Sequence, residues 1–186
     1  MNTLGKTTRE NTMNLRNRFA RHGGEIRKIT SSRITEQDIN DCLTLHNLRW
    51  GDASASLRGD ASFHFHKELC RKLPSEGYLT LFFAEYQGKR IAACSCIDIL
   101  GRREIYLTGR DPEYDKWSAG RLVMLESILD AIDRGFSIYD LGLGWFAYKM
   151  AFAKAYKRTW NFFLSPHKRL EDIERMYLGF ECMIPS

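Results

Sequence analysis

The chain has 186 residues, of which 44% are hydrophobic and 27% charged, a balance that suits one folded domain and excludes a disordered chain. Such a domain needs no disulfide or metal to hold it. The net charge of +5 arises largely in the first 33 residues. No apolar run reaches the roughly 18 residues of a membrane span, and the start lacks an apolar signal segment, so we expect a cytoplasmic protein.

The five cysteines form no C-x-x-C pair, and four of them fall at positions with apolar periodicity. This pattern is typical of reduced cysteines in a core. We therefore expect neither a disulfide framework nor a cysteine metal site.

Residues 1–24 form a basic helical appendage, with a weakly amphipathic helix over 4–22 that Gly23 and Gly24 end. Its basic residues include Arg16, Arg18 and Arg21. They form either a solvated face or a contact for nucleic acid, an acidic partner or anionic lipid. The domain proper is expected over 25–186.

The first part of that domain is a short strand over 25–29 followed by two helices. Thr35 and Asp38 resemble a capping box and open a helix whose buried face holds Ile39, Cys42, Leu43, His46 and Trp50. A lone histidine on such a face is more often a satisfied core residue than a metal ligand. A polar loop over 51–58 precedes the second helix, over 60–73. Its His64 and His66 stand two apart and have no ligand partner at a metal-binding spacing, so we expect no metal.

A strand meander follows, over 79–86, 89–99 and 103–109. Two short turns, at Gln87-Gly88 and at Gly101, predict antiparallel pairing. The middle strand has small residues on both of its faces, which favours a helix packed against each face of the sheet.

The third strand leads into a β-α-β unit. The helix over 118–134 carries a stripe of Leu122, Leu125, Leu129 and Ile132 and ends at Gly135. A strand over 136–141 should pair parallel to the third meander strand. A short helix over 148–156, a strand over 160–164 and a closing helix from Pro166 complete the chain. The predicted fold is α/β, with a mixed and mostly antiparallel sheet, one parallel β-α-β unit and helices on both faces.

The segment Ser118-Ala119-Gly120 stands where this helix begins. A helix N-terminus offers unpaired N–H groups and the positive end of the dipole, and small residues let a pyrophosphate come close. Ser118 as a plain N-cap explains the same pattern equally well.

The order of elements, with a phosphate-type loop after the fourth strand, resembles the GNAT acyltransferase fold. The chain is most similar to the CelD and Fem type of bacterial acyltransferases, over nearly its whole length. The resemblance lies in the segments KTTRENTMNLRNRFARHGG, FFAEYQGKRIAACSC, EYDKWSAGRL and DRGFSIYDLGLG, and in Tyr148-Lys149 followed by Phe152. Relatives of this type usually carry two half-domains, and this chain resembles the C-terminal half with its linker helix.

The resemblance implies a site for acetyl-CoA or another acyl-CoA and no metal. The pyrophosphate would bind at Ser118, Ala119, Gly120 and Arg121, and the pantetheine arm would lie along the gap beside residues 105–109, held by the backbone of Leu107 and Thr108. Asp115 stands where the family favours Gln or Arg, and a carboxylate there opposes a phosphate.

Acyl transfer to an amine needs a base for the ammonium group and an acid for the departing thiolate. Tyr148 lies where these enzymes often keep the acid, although it is equally explained as a core aromatic. Asp140 could orient the amine, act as the base or cap the following turn. Lys149 could contact a phosphate or a carboxylate. Glu85, Asp98 and Glu104 are further candidate bases.

The resemblance therefore predicts an N-acyltransferase that moves an acyl group from acyl-CoA to an amine of a small molecule, sugar or peptide. One alternative is a Fem-like transferase that uses charged tRNA and contacts it with the basic helix; otherwise nucleic acid is not expected. The other is a non-catalytic half-domain that acts as an interaction module. The chain resembles only one of the two half-domains, so either a homodimer or a partner that supplies the other half-domain is consistent with it.

Overall fold

The structure is a computed structural model and describes residues 6–51, 60–142, 144 and 146–156. The chain divides into two compact units, Met1–Gly142 and Leu143–Ser186. The first unit holds, in chain order, α1 (Lys6–Arg21), β1 (Gly24–Thr30), α2 (Glu36–Trp50), α3 (Asp60–Lys72), β2 (Leu79–Tyr86), β3 (Lys89–Ile99), β4 (Arg102–Arg110), α4 (Ala119–Asp133) and β5 (Ile138–Asp140). The described part of the second holds α5 (Ala147–Met150).

The five strands form one sheet in the order β1-β2-β3-β4-β5. The pairs from β1 to β4 are antiparallel, and β4 pairs parallel to β5. Both meander turns place two successive residues at positive φ, Gln87 with Gly88 and Leu100 with Gly101. This geometry joins antiparallel strands tightly, because its twist matches that of the strands. The predicted mixed sheet is confirmed.

Helices cover both faces of the sheet. On one face, Leu79, Leu81 and Phe83 of β2 join a buried cluster with residues of α2 and α3, among them Ile39, Cys42, Leu43, Leu45 and Cys70. On the other face, Ser127 of α4 lies against Cys94 of β3 and bonds Tyr139 of β5. The small side chains of β3 are thus covered on both sides, as predicted. The four described cysteines are buried and free.

The N-terminal helix α1 packs against α4 and β1 within the first unit. Phe19 is 2% exposed and contacts the ring of Trp117, and Thr12 is 1% exposed. Arg16 pairs with Glu126 of α4 at 2.7 Å, and an Arg18 nitrogen donates to the carbonyl of Lys116. The predicted boundary at residue 24 stays a prediction.

Two helix ends follow the sequence closely. Thr35 and Asp38 form the capping box, each side chain accepting from the backbone N–H of the other. Gly135 has φ +73°, and the N–H of Phe136 donates to the carbonyl of Ala131 at 2.9 Å. That bond pattern closes α4 with a glycine in the left-handed region, as helix ends often do.

The C-terminal elements differ from the predictions. The strand predicted over 136–141 covers only Ile138–Asp140, because the N–H of Phe136 closes α4 and that of Ser137 donates to Gly101. The helix predicted over 148–156 covers Ala147–Met150, since the amides of Phe152 and Ala153 both turn back to the carbonyl of Lys149. The elements predicted over 160–164 and from Pro166 lie outside the described residues.

The stripe of residues predicted to be buried on α4 is partly wrong. Leu122 and Leu125 are buried, but Ile132 is 48% exposed. The residues buried instead include Val123, Met124, Ser127 and Ala131. Because α4 contacts both the sheet and α1, its buried surface is wider than one stripe and shifts away from Ile132.

Candidate active site

Among the described strands, β4 has an open edge beyond its short contact with β5. The two strands pair only at three positions, from Arg102 with Ile138 to Glu104 with Asp140. From Ile105 to Arg110, β4 continues without a partner in β5. This divergence is the gap that the sequence predicted beside residues 105–109.

A β-bulge lies at the start of this open edge. Ile105 pairs with Cys96 and Leu107 with Ser95, so that Tyr106 is the extra residue. The hydroxyl of Ser95 donates to the carbonyl of Leu107 at 3.3 Å and accepts from its N–H at 3.0 Å. Bulges redirect a side chain and locally disrupt the ladder, and they are frequent beside active sites.

Three side chains of α2 bind one residue of this edge, an arrangement that we name the Thr108 clamp. His46 Nδ1 donates to the Thr108 carbonyl at 2.9 Å, and Trp50 Nε1 donates to the same oxygen at 3.2 Å. Arg49 donates to the Thr108 hydroxyl at 3.1 Å and stacks on the Trp50 ring. The clamp fixes the C-terminal turn of α2 against the open edge of β4.

The glycine that follows lets α2 come this close. A Cβ at Gly109 would overlap the backbone of Leu45 and His46. Only a residue without a side chain fits this contact. The Thr108 clamp therefore depends on Gly109.

His46 in the clamp is a neutral imidazole. Its bond to a carbonyl places the proton on Nδ1, since a carbonyl oxygen accepts but does not donate. Burial is the main cause that lowers the pKa of His46 to about 4. The bond to Thr108 acts to raise this pKa, and the charge of Arg49 acts to lower it. The prediction that His46 is a satisfied histidine is confirmed.

A second site feature is the beginning of α4, where a 3₁₀ helix (Pro112–Trp117) leads into Ser118. Ser118 has φ 47° and ψ 39°, and its side chain makes no capping bond. The first turn of α4 contains no acidic residue. The plain N-cap alternative is thus not what the structure shows, because the Ser118 side chain binds none of the N–H groups of this first turn.

Arg110 lies beside this helix start. Its Cδ is 3.6 Å from the place that a Cβ on Gly120 would take. It also binds Asp115 through two bonds, of 2.6 and 3.0 Å. These bonds lower the pKa of the Asp115 carboxyl. The carboxylate expected to oppose a phosphate is therefore paired with a guanidinium.

The other residues predicted to bind the cofactor differ in which of their groups could reach it. Ala119 is 2% exposed, so that it contributes its backbone rather than a side chain. Arg121 turns toward α1, where it donates to the Thr12 hydroxyl at 3.3 Å. Three of the four backbone groups of Leu107 and Thr108 already bind Ser95, His46 and Trp50.

The predicted catalytic residues lie in both units. In the first, Asp140 ends β5, pairs with Arg102 and accepts from the N–H of Gly142 at 2.9 Å. This last bond is the turn cap that the sequence left open. In the second, Tyr148 belongs to α5, and Lys149 lies 5.1 Å from the ring centre of Phe146.

Two of the other candidate bases are held in ion pairs. Asp98 accepts from the fully buried Arg103 at 2.6 Å and from Arg134 at 2.7 Å. Glu85 accepts from Arg90 at 3.4 Å. Glu104 is exposed on β4, opposite Asp140.

The structure also brings together residues that the sequence did not assign to a site. Arg49, Trp50, His66 and Tyr106 meet at the open edge of β4, and Tyr106 binds His66 of α3. Of these four, His66 carried a signal, because His64 and His66 stand two apart and cannot share one face of a helix. Over the described residues, there is no cluster of three metal-ligating side chains and no helix long and apolar enough to cross a membrane.

A comparison with protein families matches residues 6–150 to the family described as "Acetyltransferase (GNAT) domain". No curated protein matches the chain at the significance required.

Solved structures share this fold at low sequence identity. The aminoglycoside acetyltransferase meta-AAC0020 from an uncultured soil metagenomic sample is 12% identical, with a TM-score of 0.54 over 79% of this chain and 98% of that one. The aminoglycoside 6'-N-acetyltransferase AAC(6')-Ih from Acinetobacter baumannii is 13% identical, with a TM-score of 0.53 over 76% and 99%. A Trypanosoma brucei acetyltransferase is 13% identical, with a TM-score of 0.51 over 75% and 100%. At these identities the likeness concerns the fold.

Proposed function

Because the chain belongs to the acetyltransferase (GNAT) domain family, we propose that it is an N-acyltransferase that moves an acyl group from acyl-CoA to an amine of a small molecule, sugar or peptide. The observation that carries this proposal is the open edge of β4, which runs from the bulge at Tyr106 toward the beginning of α4, where Ser118 makes no capping bond. A thioester arm with a phosphate end needs these two features, one along its length and one at its end.

The beginning of α4 fits a pyrophosphate. The N–H groups of the first helical turn lie at the positive end of the helix dipole. Arg110, whose guanidinium holds Asp115 through two bonds, would bind phosphate oxygens with its remaining N–H donors. Ala119 and Gly120 would present backbone N–H groups, whereas Arg121 holds α1 in place through Thr12. Acyl-CoA supplies the activated acyl group when bound.

Tyr148, Asp140 and Lys149 are our proposed catalytic residues. Tyr148 would give a proton to the departing thiolate. The bonds of Asp140 to Arg102 and Gly142 favour a role in orienting the end of β5 over a role as the base. Lys149 would contact an anionic group of a substrate.

We propose the CelD and Fem type as the subtype, because the chain resembles that type in segments such as EYDKWSAGRL and DRGFSIYDLGLG. Within that type, the contacts of α1 favour acyl-CoA over charged tRNA as the donor. Arg16 pairs with Glu126, and the Arg18 guanidinium lies 5.9 Å from the centre of the Trp117 ring. These two exposed side chains already have partners within the domain. A homodimer or a separate half-domain partner remains part of the proposal.

The test is the thermal stability of the protein with acetyl-CoA. A ligand that binds only the folded state at about 100 times its Kd stabilises the protein by about 2.7 kcal/mol. We expect a rise in melting temperature with acetyl-CoA and a smaller one with adenosine, which lacks both pyrophosphate and pantetheine. An unchanged melting temperature at millimolar acetyl-CoA would contradict the proposal.

A further inference from the structure

A histidine and a tyrosine from different elements meet at the bulge of β4. His66 Nδ1 of α3 is hydrogen-bonded to the Tyr106 hydroxyl, and the ring centres are 5.5 Å apart. Both side chains are partly buried. The ring of Phe65 lies edge-on to that of His66. The pair is therefore held in place by both α3 and β4.

The position of Tyr106 in the sheet matters more than the bond itself. It is the residue that the bulge leaves without a partner in β3. It comes two residues after Glu104, where the pairing with β5 ends, and two before Thr108. The pair thus stands at the head of the open edge, where the proposed function puts the thioester.

The surroundings keep Tyr106 protonated. Burial, with a smaller effect of the Cys70 thiol, raises the pKa of Tyr106 well above its usual range. From α2, His46 and Arg49 face the same region, and the charge of a protonated His66 would act on His46. On α3, the neighbouring Lys67 pairs with Glu36 at 3.2 Å. Tyr106 can therefore pass a proton on while it stays neutral.

A base for this reaction is still needed. Asp98 and Glu85 are held by arginines, and Asp140 by Arg102 and the turn that follows. Glu104, which is exposed on the same strand, is the alternative base, and an experiment must distinguish it from Tyr106 and His66.

We propose that Tyr106 and His66 form a proton relay that deprotonates the acceptor ammonium group; this inference rests on the proposed function. The ammonium N–H gives its proton to the Tyr106 oxygen while the tyrosine O–H proton passes to His66 Nδ1. The products are a neutral amine, a neutral tyrosine and an imidazolium, which later releases its proton to water. The amine lone pair forms the C–N bond, the C–S bond breaks, and the thiolate takes up one proton as the amide nitrogen loses its second. Tyr106 is the catalytic residue, and His66 acts through it.

The first test needs no turnover. Histidine-selective ¹⁵N NMR measures the ring nitrogen shifts and the titration of His66 in the wild-type protein and in Tyr106→Phe. We expect the Nδ1 signal to show a hydrogen bond in the wild type and to lose it in the variant, with Tyr78→Phe as the control. Identical His66 spectra in the wild type and in Tyr106→Phe would overturn the relay.

The second test uses acetyl-CoA with glucosamine as the amine. Tyr106→Phe should lower kcat about 100-fold, the size of a lost acid–base contribution, with little change in acetyl-CoA binding. His66→Ala should lose the acid limb of the pH–rate profile and regain activity with added imidazole, which a merely structural residue would not show. Loss of that limb in Glu104→Gln, with His66→Ala unchanged, would assign the base to Glu104 and overturn the relay. Failure of acetyl-CoA to bind the wild type would instead refute the proposed function.

Discussion

The Thr108 clamp makes the stability of the fold depend on pH through one histidine. His46 is 7% exposed, and its Nδ1–H donates to the Thr108 carbonyl. The perturbation that we propose is His46→Gln. Glutamine can still donate to the carbonyl through its amide, but it takes up no proton. The variant therefore separates the hydrogen bond from the titration.

The magnitude follows from the two pKa values of His46. In the folded protein the pKa is about 4, against 6.5 for a free histidine. Below the unfolded value the unfolded chain takes up a proton that the folded protein does not, so the free energy of unfolding falls as the pH falls from about 6.5 toward 4. Between about pH 7 and pH 5, this linkage removes about 2 kcal/mol.

The assay is urea unfolding followed by circular dichroism at several pH values. The wild type should lose about 2 kcal/mol more than His46→Gln between about pH 7 and pH 5, because all other titrating groups are common to both proteins. His64→Gln, which removes an exposed histidine of α3, is the control and should follow the wild type. Parallel pH curves for the wild type and His46→Gln would refute the account of the clamp.

Three further predictions concern the packing and the helix start. Gly109→Ala should lower the free energy of unfolding by about 1–3 kcal/mol in urea titrations, since the added Cβ would overlap the backbone of α2. Gly120→Asp should weaken coenzyme A binding about 10-fold by calorimetry without loss of stability, because a carboxylate suits a helix N-terminus but repels a phosphate; Gly120→Ala is the control. Arg103→Met should cost about 3–5 kcal/mol in urea, since Asp98 and Asp130 lose the buried guanidinium that binds them both.

Each of these predictions has a contradicting outcome. Wild-type stability in Gly109→Ala would mean that α2 and β4 do not approach so closely. Equal coenzyme A affinity in the two Gly120 variants would remove the phosphate from the beginning of α4. A stability change below about 1 kcal/mol in Arg103→Met would show that the buried charges are solvated or replaceable.

The local features of the fold could be predicted from the sequence. A helix cap or a backbone at positive φ involves only residues that are close together in the sequence. Examples are the cap formed by Thr35 and Asp38, the turn at Gln87 and Gly88, and the helix end at Gly135. Their neighbours along the chain are enough to define them. For the same reason, the observed β2 and β3 cover the predicted residues 79–86 and 89–99.

The rest depends on contacts that are distant in sequence. His66 and Tyr106 are 40 residues apart, and only the folding of α3 over the bulge brings them together. The pairing of Asp98 with Arg103 depends on the hairpin register, and its burial depends on α4. The exposure of Ile132 likewise follows from how α1 and the sheet share the surface of α4. Periodicity within one segment does not contain this information.

In the proposed function, acyl-CoA binds with its phosphates at the beginning of α4. An amide NMR titration of the wild-type protein with coenzyme A can locate those phosphates. We predict that the N–H signals of Ala119 and Gly120 shift and saturate together with those of the open edge of β4. Saturable binding that leaves both signals unmoved would contradict the claim.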